Sequence, residues 1–296
     1  MYSYFSLSPA EDPNECSIEY WGSQRGVGYG DGSQQTPAPL DNGNEKTLDI
    51  SAGPQYTLSV DASNRAFASG FINDKQEYNG RFGVKIENLQ QGNNRDKQID
   101  TVIYVNEDGS TRTDTAPPFR RVYTGAGGED IGHSVIMDKE GTLFSTGSNS
   151  MGQLCTNAES NFIPRQVRGL PGGLSILGVA LGREFTLILL SNGQVYGCGS
   201  NRSGQLGLGD VESVNTPTRI TGFGTNTANG FGENLVKKVS AGQDFSLFQT
   251  IDGRIFGSGV NSNLQLCNSN TANIRKPTVR LLTRNFCIYF HSYTVD

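Results

Sequence analysis

The sequence predicts an all-β protein, a β-propeller built of four-stranded blades, and three observations carry that prediction. Glycine is abundant, at 38 residues, while the hydrophobic fraction is only 35%. That balance suits short strands and tight turns better than helices. A glycine-anchored segment recurs around Gly70, Gly147, Gly199 and Gly259, as "AFASGFINDKQEY", "LFSTGSNSMGQLC", "VYGCGSNRSGQLGLGD" and "IFGSGVNSNLQLC". The spacings from 147 to 199 and from 199 to 259, 52 and 60 residues, match one blade per repeat.

Each element of the repeat has a chemical reason. Well before each anchor stands an aromatic or imidazole ring followed by a hydroxyl: Tyr56-Thr57, His133-Ser134, Phe185-Thr186 and Phe245-Ser246. Gly53, Gly182 and Gly242 precede three of these rings. Between ring and anchor lie Asn64, Gly141, Gly193 and Gly253, residue types that accept the positive φ of a hairpin turn. After the anchors come Asn149, Asn201 and Asn261, then Gln76, Gln153, Gln205 and Gln265, then Leu154, Leu206 and Leu266. Pro164, Pro217 and Pro277 mark a final strand. A fixed glutamine beside a glycine turn is expected to satisfy backbone groups in its own loop or the next blade.

The blade count expected from these repeats is five to six. The N-terminal "EYWGSQRGVGYGD" begins inside a repeat, and the C-terminal "RNFCIYFHSYTVD" has His291-Ser292 in the ring-hydroxyl place. Pairing the termini in one shared blade would close the ring and remove its open edges; with four internal repeats that makes five. Residues 18–296 then form a single propeller domain after an N-terminal extension over 1–17. The wider gap between Gly70 and Gly147 locates an insertion at about 86–118, within which "TVIYV", "NEDG" and "STRT" predict a β-hairpin. It could complete a sixth blade. Because it carries none of the repeat signature, projection from the ring is the expectation.

The repeats resemble the regulator of chromosome condensation repeat. "VKKVSAGQDFSL" (Val236 to Leu247) is similar to the first half of the family pattern and Val195 to Asp210 to the second, while the family's tryptophan-glycine pair survives as Trp21-Gly22. The resemblance implies a propeller, usually of seven blades. It also implies a choice among an exchange factor for the GTPase Ran, an ultraviolet photoreceptor, ubiquitin-ligase modules and adaptors in cilia and at membranes. Trp21 is the single tryptophan, which excludes a tryptophan-cluster photoreceptor.

Composition narrows chemistry further. The net charge of -5 supplies no basic stripe for nucleic acid or an anionic membrane. The five cysteines, Cys16, Cys155, Cys198, Cys267 and Cys287, are odd in number and include no CxxC pair, so free thiols in a reducing compartment are expected. No signal-peptide pattern opens the chain, and no run reaches transmembrane length; a cytoplasmic protein is the expectation. Glycines at Val195 to Asp210 and in "GVGYGDG" precede loops rather than a helix N-terminus, so they do not form a phosphate cradle. His133 occupies a repeated ring position and Asp130 has no aligned partner for a catalytic triad. "NEDGSTRTD" lacks the spacing of a calcium loop.

No catalytic, cofactor or metal site is therefore expected, and no enzyme activity. The candidate partner-binding residues are Asn106, Glu107, Asp108 and Arg112 in the insertion, with Arg120 and Arg121 just beyond it. The glycines Gly70, Gly147, Gly199 and Gly259 and the glutamines Gln76, Gln153, Gln205 and Gln265 are assigned to structure. The expected function is a non-catalytic interaction scaffold, its non-repeating loops binding other proteins such as tubulin or axonemal proteins in a cytoskeletal or ciliary assembly. The alternative is nucleotide exchange on a Ran-like small GTPase, with Asn106–Asp108 as a wedge.

Overall fold

The computed structural model describes residues 3–9, 16–23, 33–39, 47–72, 80–127, 131–159, 161–223, 225–226, 231–233, 235–266 and 270–280. Strands β1 (Ser3–Pro9), β2 (Cys16–Ser23) and β3 (Ser33–Pro39) form a three-stranded antiparallel sheet. The first blade follows as β4 (Thr47–Gly53), β5 (Tyr56–Asp61), β6 (Ala66–Ile72) and β7 (Gly92–Ile99). A hairpin, β8 (Thr101–Val105) and β9 (Thr111–Thr115), precedes the second blade: β10 (Phe119–Thr124), β11 (His133–Asp138), β12 (Leu143–Gly147) and β13 (Asn161–Gln166). The third blade is β14 (Ile176–Leu181), β15 (Phe185–Leu190), β16 (Val195–Gly199) and β17 (Val214–Ile220). After a ribbon of β18 (Thr225–Asn226) and β19 (Phe231–Glu233) comes the fourth: β20 (Val236–Ala241), β21 (Phe245–Thr250), β22 (Ile255–Gly259) and β23 (Ile274–Arg280).

The fold is thus an all-β propeller type, as the repeats predict, with four complete blades among the described residues rather than five or six. The expected fifth needed residues 281–296 to pair with the N-terminus, and these lie outside the described residues.

The repeat signature becomes register. Tyr56 pairs with Gly70, His133 with Gly147, Phe185 with Gly199 and Phe245 with Gly259. The turn residues Asn64, Gly141, Gly193 and Gly253 all have positive φ, as hairpin turns between the second and third strands demand. Each blade also carries a bulge that sequence periodicity does not announce. Pairing jumps over Leu48, Arg120, Leu177 and Lys237, the second residue of each first strand. The extra residue leaves the ladder, and all four are exposed.

Two compact units divide the chain: Met1–Ser148 with Ala158–Val167, and Asn149–Asn157 with Arg168–Asp296. In the first, Tyr56, Leu58, Phe82, Ile99, Phe119, Ile136 and Phe144 form one buried core shared by the two blades. In the second, Phe185, Leu187, Val195, Leu206, Val236, Phe248 and Phe256 do the same. Phe223 meets Phe248 and Phe256 edge-on at 5.0 and 5.9 Å. Each such side chain contributes roughly 1.5–3 kcal/mol by leaving water, so the blades are held chiefly by their neighbours.

The insertion is smaller than the sequence indicates. Gly92–Ile99, polar and without repeat features, supplies the fourth strand of the first blade. The remaining hairpin neither builds a further blade nor projects freely. β8 pairs in parallel with β13 at Ile103 and Arg165, extending the second blade to the order β10-β11-β12-β13-β8-β9. Buried Val102 and an edge-on contact of Tyr104 with Phe144 at 5.3 Å seat it.

The thiol expectation is corrected as well. Cys155 and Cys198 form a disulfide with a Cα–Cα separation of 5.3 Å. It bridges the loop after β12 to strand β16.

Candidate interaction surface

The repeated asparagines and glutamines hydrogen-bond within their own loops. Gln153, Gln205 and Gln265 each accept through Oε1 the backbone N–H two residues earlier, at 2.9 Å. Asn149, Asn201 and Asn261 accept the N–H of Leu154, Leu206 and Leu266 at 2.9, 2.9 and 2.8 Å. Their amides donate onward to Thr156, Asp210 and Asn270. The loop so shaped presents a carbonyl to the hydroxyl behind a ring: Thr186 Oγ1 donates to Gln153 O at 2.7 Å and Ser246 Oγ to Gln205 O at 2.6 Å.

The first unit repeats this clasp with different residues. Ser134 Oγ donates to the carbonyl of Arg81 at 2.7 Å, and Thr146 Oγ1 to that of Gly80 at 2.8 Å. Gln76 lies outside the described residues; the carbonyl that accepts in this clasp is that of Arg81. His133 is fully buried, and its carbonyl accepts the Tyr56 hydroxyl at 2.9 Å. Burial pushes that phenol up to about 12. Ser134 therefore serves packing between blades, and its hydroxyl points to a backbone carbonyl rather than to an imidazole.

Because Gln205 is buried and Gln265 is partly exposed, alanine at the two positions should differ. Gln205→Ala leaves the Ser203 N–H without its acceptor and is expected to cost roughly 1–3 kcal/mol. Gln265→Ala, where water can replace the lost bond, should cost less than about 1 kcal/mol. Urea midpoints of the two variants check this; equal losses would contradict the assigned role.

What the scaffold leaves available is the hairpin. All five residues of β9 are exposed. At the tip, Asn106 Nδ2 donates to Ser110 Oγ at 2.9 Å, and Asp108 accepts the Ser110 amide and hydroxyl at 2.9 and 2.6 Å. Those bonds hold the Asp108 carboxyl below its ordinary value. Glu107 is exposed beside it. Arg112 lies over the Tyr104 ring, 4.7 Å from its centroid, and 3.5 Å from Asp114.

The candidate residues do not converge on one site. Asn106, Glu107, Asp108 and Arg112 occupy the outer edge of the six-stranded sheet, while Arg120 and Arg121 sit on β10 at the opposite edge. Five strand spacings separate those edges, about 24 Å. Arg120 is the bulged, exposed residue, and Arg121 is half-buried.

Comparison with known proteins agrees with this geometry. The model of the regulator of chromosome condensation (RCC1) repeat matches residues 140–189 and 192–249, and a second model of that repeat matches 176–205. The human X-linked retinitis pigmentosa GTPase regulator is 37% identical over 147 residues, 49% of this chain and 14% of that protein. Human protein RCC2 is 32% identical over 141 residues, 47% of this chain and 25% of that protein. The matched parts are thus a quarter or less of these relatives' length. Among solved structures, Prp20p of Saccharomyces cerevisiae aligns with a TM-score of 0.69 at 18% identity, covering 96% of this chain and 62% of that one. Human WBSCR16 aligns with a TM-score of 0.65 at 20% identity, covering 96% and 67%. At these identities the structural likeness establishes the fold.

Proposed function

From a chain that carries the regulator of chromosome condensation repeat over residues 140–189 and 192–249, we propose a non-catalytic protein-interaction scaffold that recognises its partner with the β8–β9 hairpin. One observation carries the reading: repeated polar groups are spent on loop and blade bonds, whereas the non-repeating hairpin is seated on a blade edge with every residue of β9 exposed. A structured loop on a rigid frame is where recognition is placed at least cost in ordering entropy. The partner is taken to be a cytoplasmic assembly protein of cytoskeletal or ciliary type, such as tubulin or an axonemal protein.

The hairpin can be removed at a point where its two ends already meet. Asp100 and Ala116 are already adjacent, the Ala116 N–H donating to Asp100 O at 2.9 Å, so residues 101–115 can be replaced by a short glycine bridge. Affinity purification from native cells is expected to recover tubulin or axonemal proteins with the intact chain and to lose them with the bridged one. Retention by the bridged chain would refute the hairpin's role.

A second reading is favoured by the exposed acidic tip, Asn106–Glu107–Asp108, and by a relative whose name is GTPase regulator. In it the tip wedges against a Ran-like small GTPase and speeds nucleotide release. Measuring release from a panel of small GTPases, with and without the hairpin, separates the two readings.

A further inference from the structure

Strand β9 is the last strand of its sheet among the described residues, and its own hydrogen-bond parity fixes which backbone groups are open. Asp100 and Ala116 form a bonded pair, as do Asn106 and Ser110. Bonded and non-bonded pairs alternate along an antiparallel ladder. Arg112 and Asp114, opposite Tyr104 and Val102, therefore spend their N–H and C=O groups on β8. The backbone groups of Thr111, Thr113 and Thr115 point away from the sheet. The Thr115 N–H is capped by the Asp114 carboxylate at 2.9 Å. The others form a row of open donors and acceptors, the arrangement that recruits an added strand.

The side chains say which strand fits. "TRTDT" is self-complementary about Thr113. We propose that this edge pairs antiparallel with β9 of a second copy of the chain, on a two-fold axis through Thr113. In that register Thr113 faces its own counterpart as a bonded pair, and Thr111 faces the second copy's Thr115. Arg112 faces the second copy's Asp114, and Asp114 the second copy's Arg112. These charged positions are the non-bonded pairs, where facing side chains stand closest. Within one chain Arg112 and Asp114 are 3.5 Å apart and on one face of the strand, so both symmetric ion pairs form on that face. Threonine pairs occupy the other. The Asp114 carboxylate releases the Thr115 N–H to the second copy as it turns toward its arginine. A shift by one residue would set open groups against spent ones, and a parallel arrangement would set like charges side by side. The hairpin tip at Asn106–Gly109 stays outside this contact, so only a partner that grips β9 itself competes with self-pairing.

Sedimentation velocity across a concentration series up to about 0.5 mM, the range that a small interface demands, provides the test. The intact chain should show a concentration-dependent dimer. Arg112→Asp and Asp114→Arg each set like charges opposite one another twice and should weaken dimerisation at least about tenfold. Mixed one-to-one, these two single variants should dimerise with each other, because each arginine then faces an aspartate. The double exchange R112D/D114R should dimerise as the intact chain does. Thr113→Pro, which removes a central outward N–H and leaves the β8 ladder untouched, should abolish the dimer with an unchanged circular dichroism spectrum. A chain that stays monomeric throughout the series, or single variants that do not complement, would overturn the proposal.

Discussion

Gly199→Ala is expected to unfold the protein near physiological temperature, with a loss of roughly 2–6 kcal/mol. Two costs combine. Gly199 has φ +104, a region an L side chain enters at roughly 1–3 kcal/mol. A Cβ there would also lie 2.4 Å from Glu184 O, 2.6 Å from Phe185 Cα and 3.1 Å from Gln153 Cα, all backbone atoms. Backbone in a paired ladder cannot swing aside as a flexible side chain can, and such overpacking costs roughly another 1–3 kcal/mol. Gly253→Ala is the matched control. Its φ is +87, but nothing lies within 4 Å of the added carbon, so only the conformational cost of roughly 1–3 kcal/mol remains. Urea unfolding of both variants decides the matter, and equal losses would remove crowding from the explanation.

The same position shows why so much of the fold was legible. Gly70, Gly147, Gly199 and Gly259 recur because each sits opposite a ring residue, with the preceding carbonyl 2.4–2.5 Å from where a Cβ would be. Gly182 and Gly242 recur because the rings of Phe185 and Phe245 lie over them, 1.9 and 2.1 Å from an added Cβ. A steric requirement met once per blade leaves a period in the sequence. What was not legible lacks that kind of constraint. Gly92–Ile99 lies at the outer side of its blade and buries Asn94 rather than an apolar row, so it has no strand pattern to read. The bulges fall on Leu48, Arg120, Leu177 and Lys237; any side chain suits an exposed bulge. The hairpin was visible from "NEDG", but its seat depends on Val102 and Tyr104 meeting another strand. Separation of Arg120 and Arg121 from the hairpin tip follows from sheet order, which adjacency in sequence conceals.

The disulfide was hidden for a related reason, and breaking it carries the second large expected effect. Cys155 stands eight residues after the anchor Gly147, and Cys198 one before the anchor Gly199. In the next repeat the same two places hold Gly207 and Ser258, where a Cβ on the glycine would lie 3.2 Å from the serine Oγ. In the repeat before, Gly83 would approach Thr146 Cγ2 to 3.3 Å. The cysteine pair thus occupies a contact that every described blade junction of this kind makes, and the spacing becomes informative only when successive repeats are superposed. Both cysteines are buried. Their bond closes a chain segment with a sequence separation of 43, for which loop-closure entropy gives about 4 kcal/mol of stabilisation. Dithiothreitol should lower stability by about that amount. Cys155→Gly with Cys198→Ser copies the neighbouring junction, and glycine suits the φ of 55 at that position. The double variant should match the reduced protein and ignore reductant. Should reductant leave the intact chain's urea midpoint unchanged, the bond would not be a stabilising link in the folded protein.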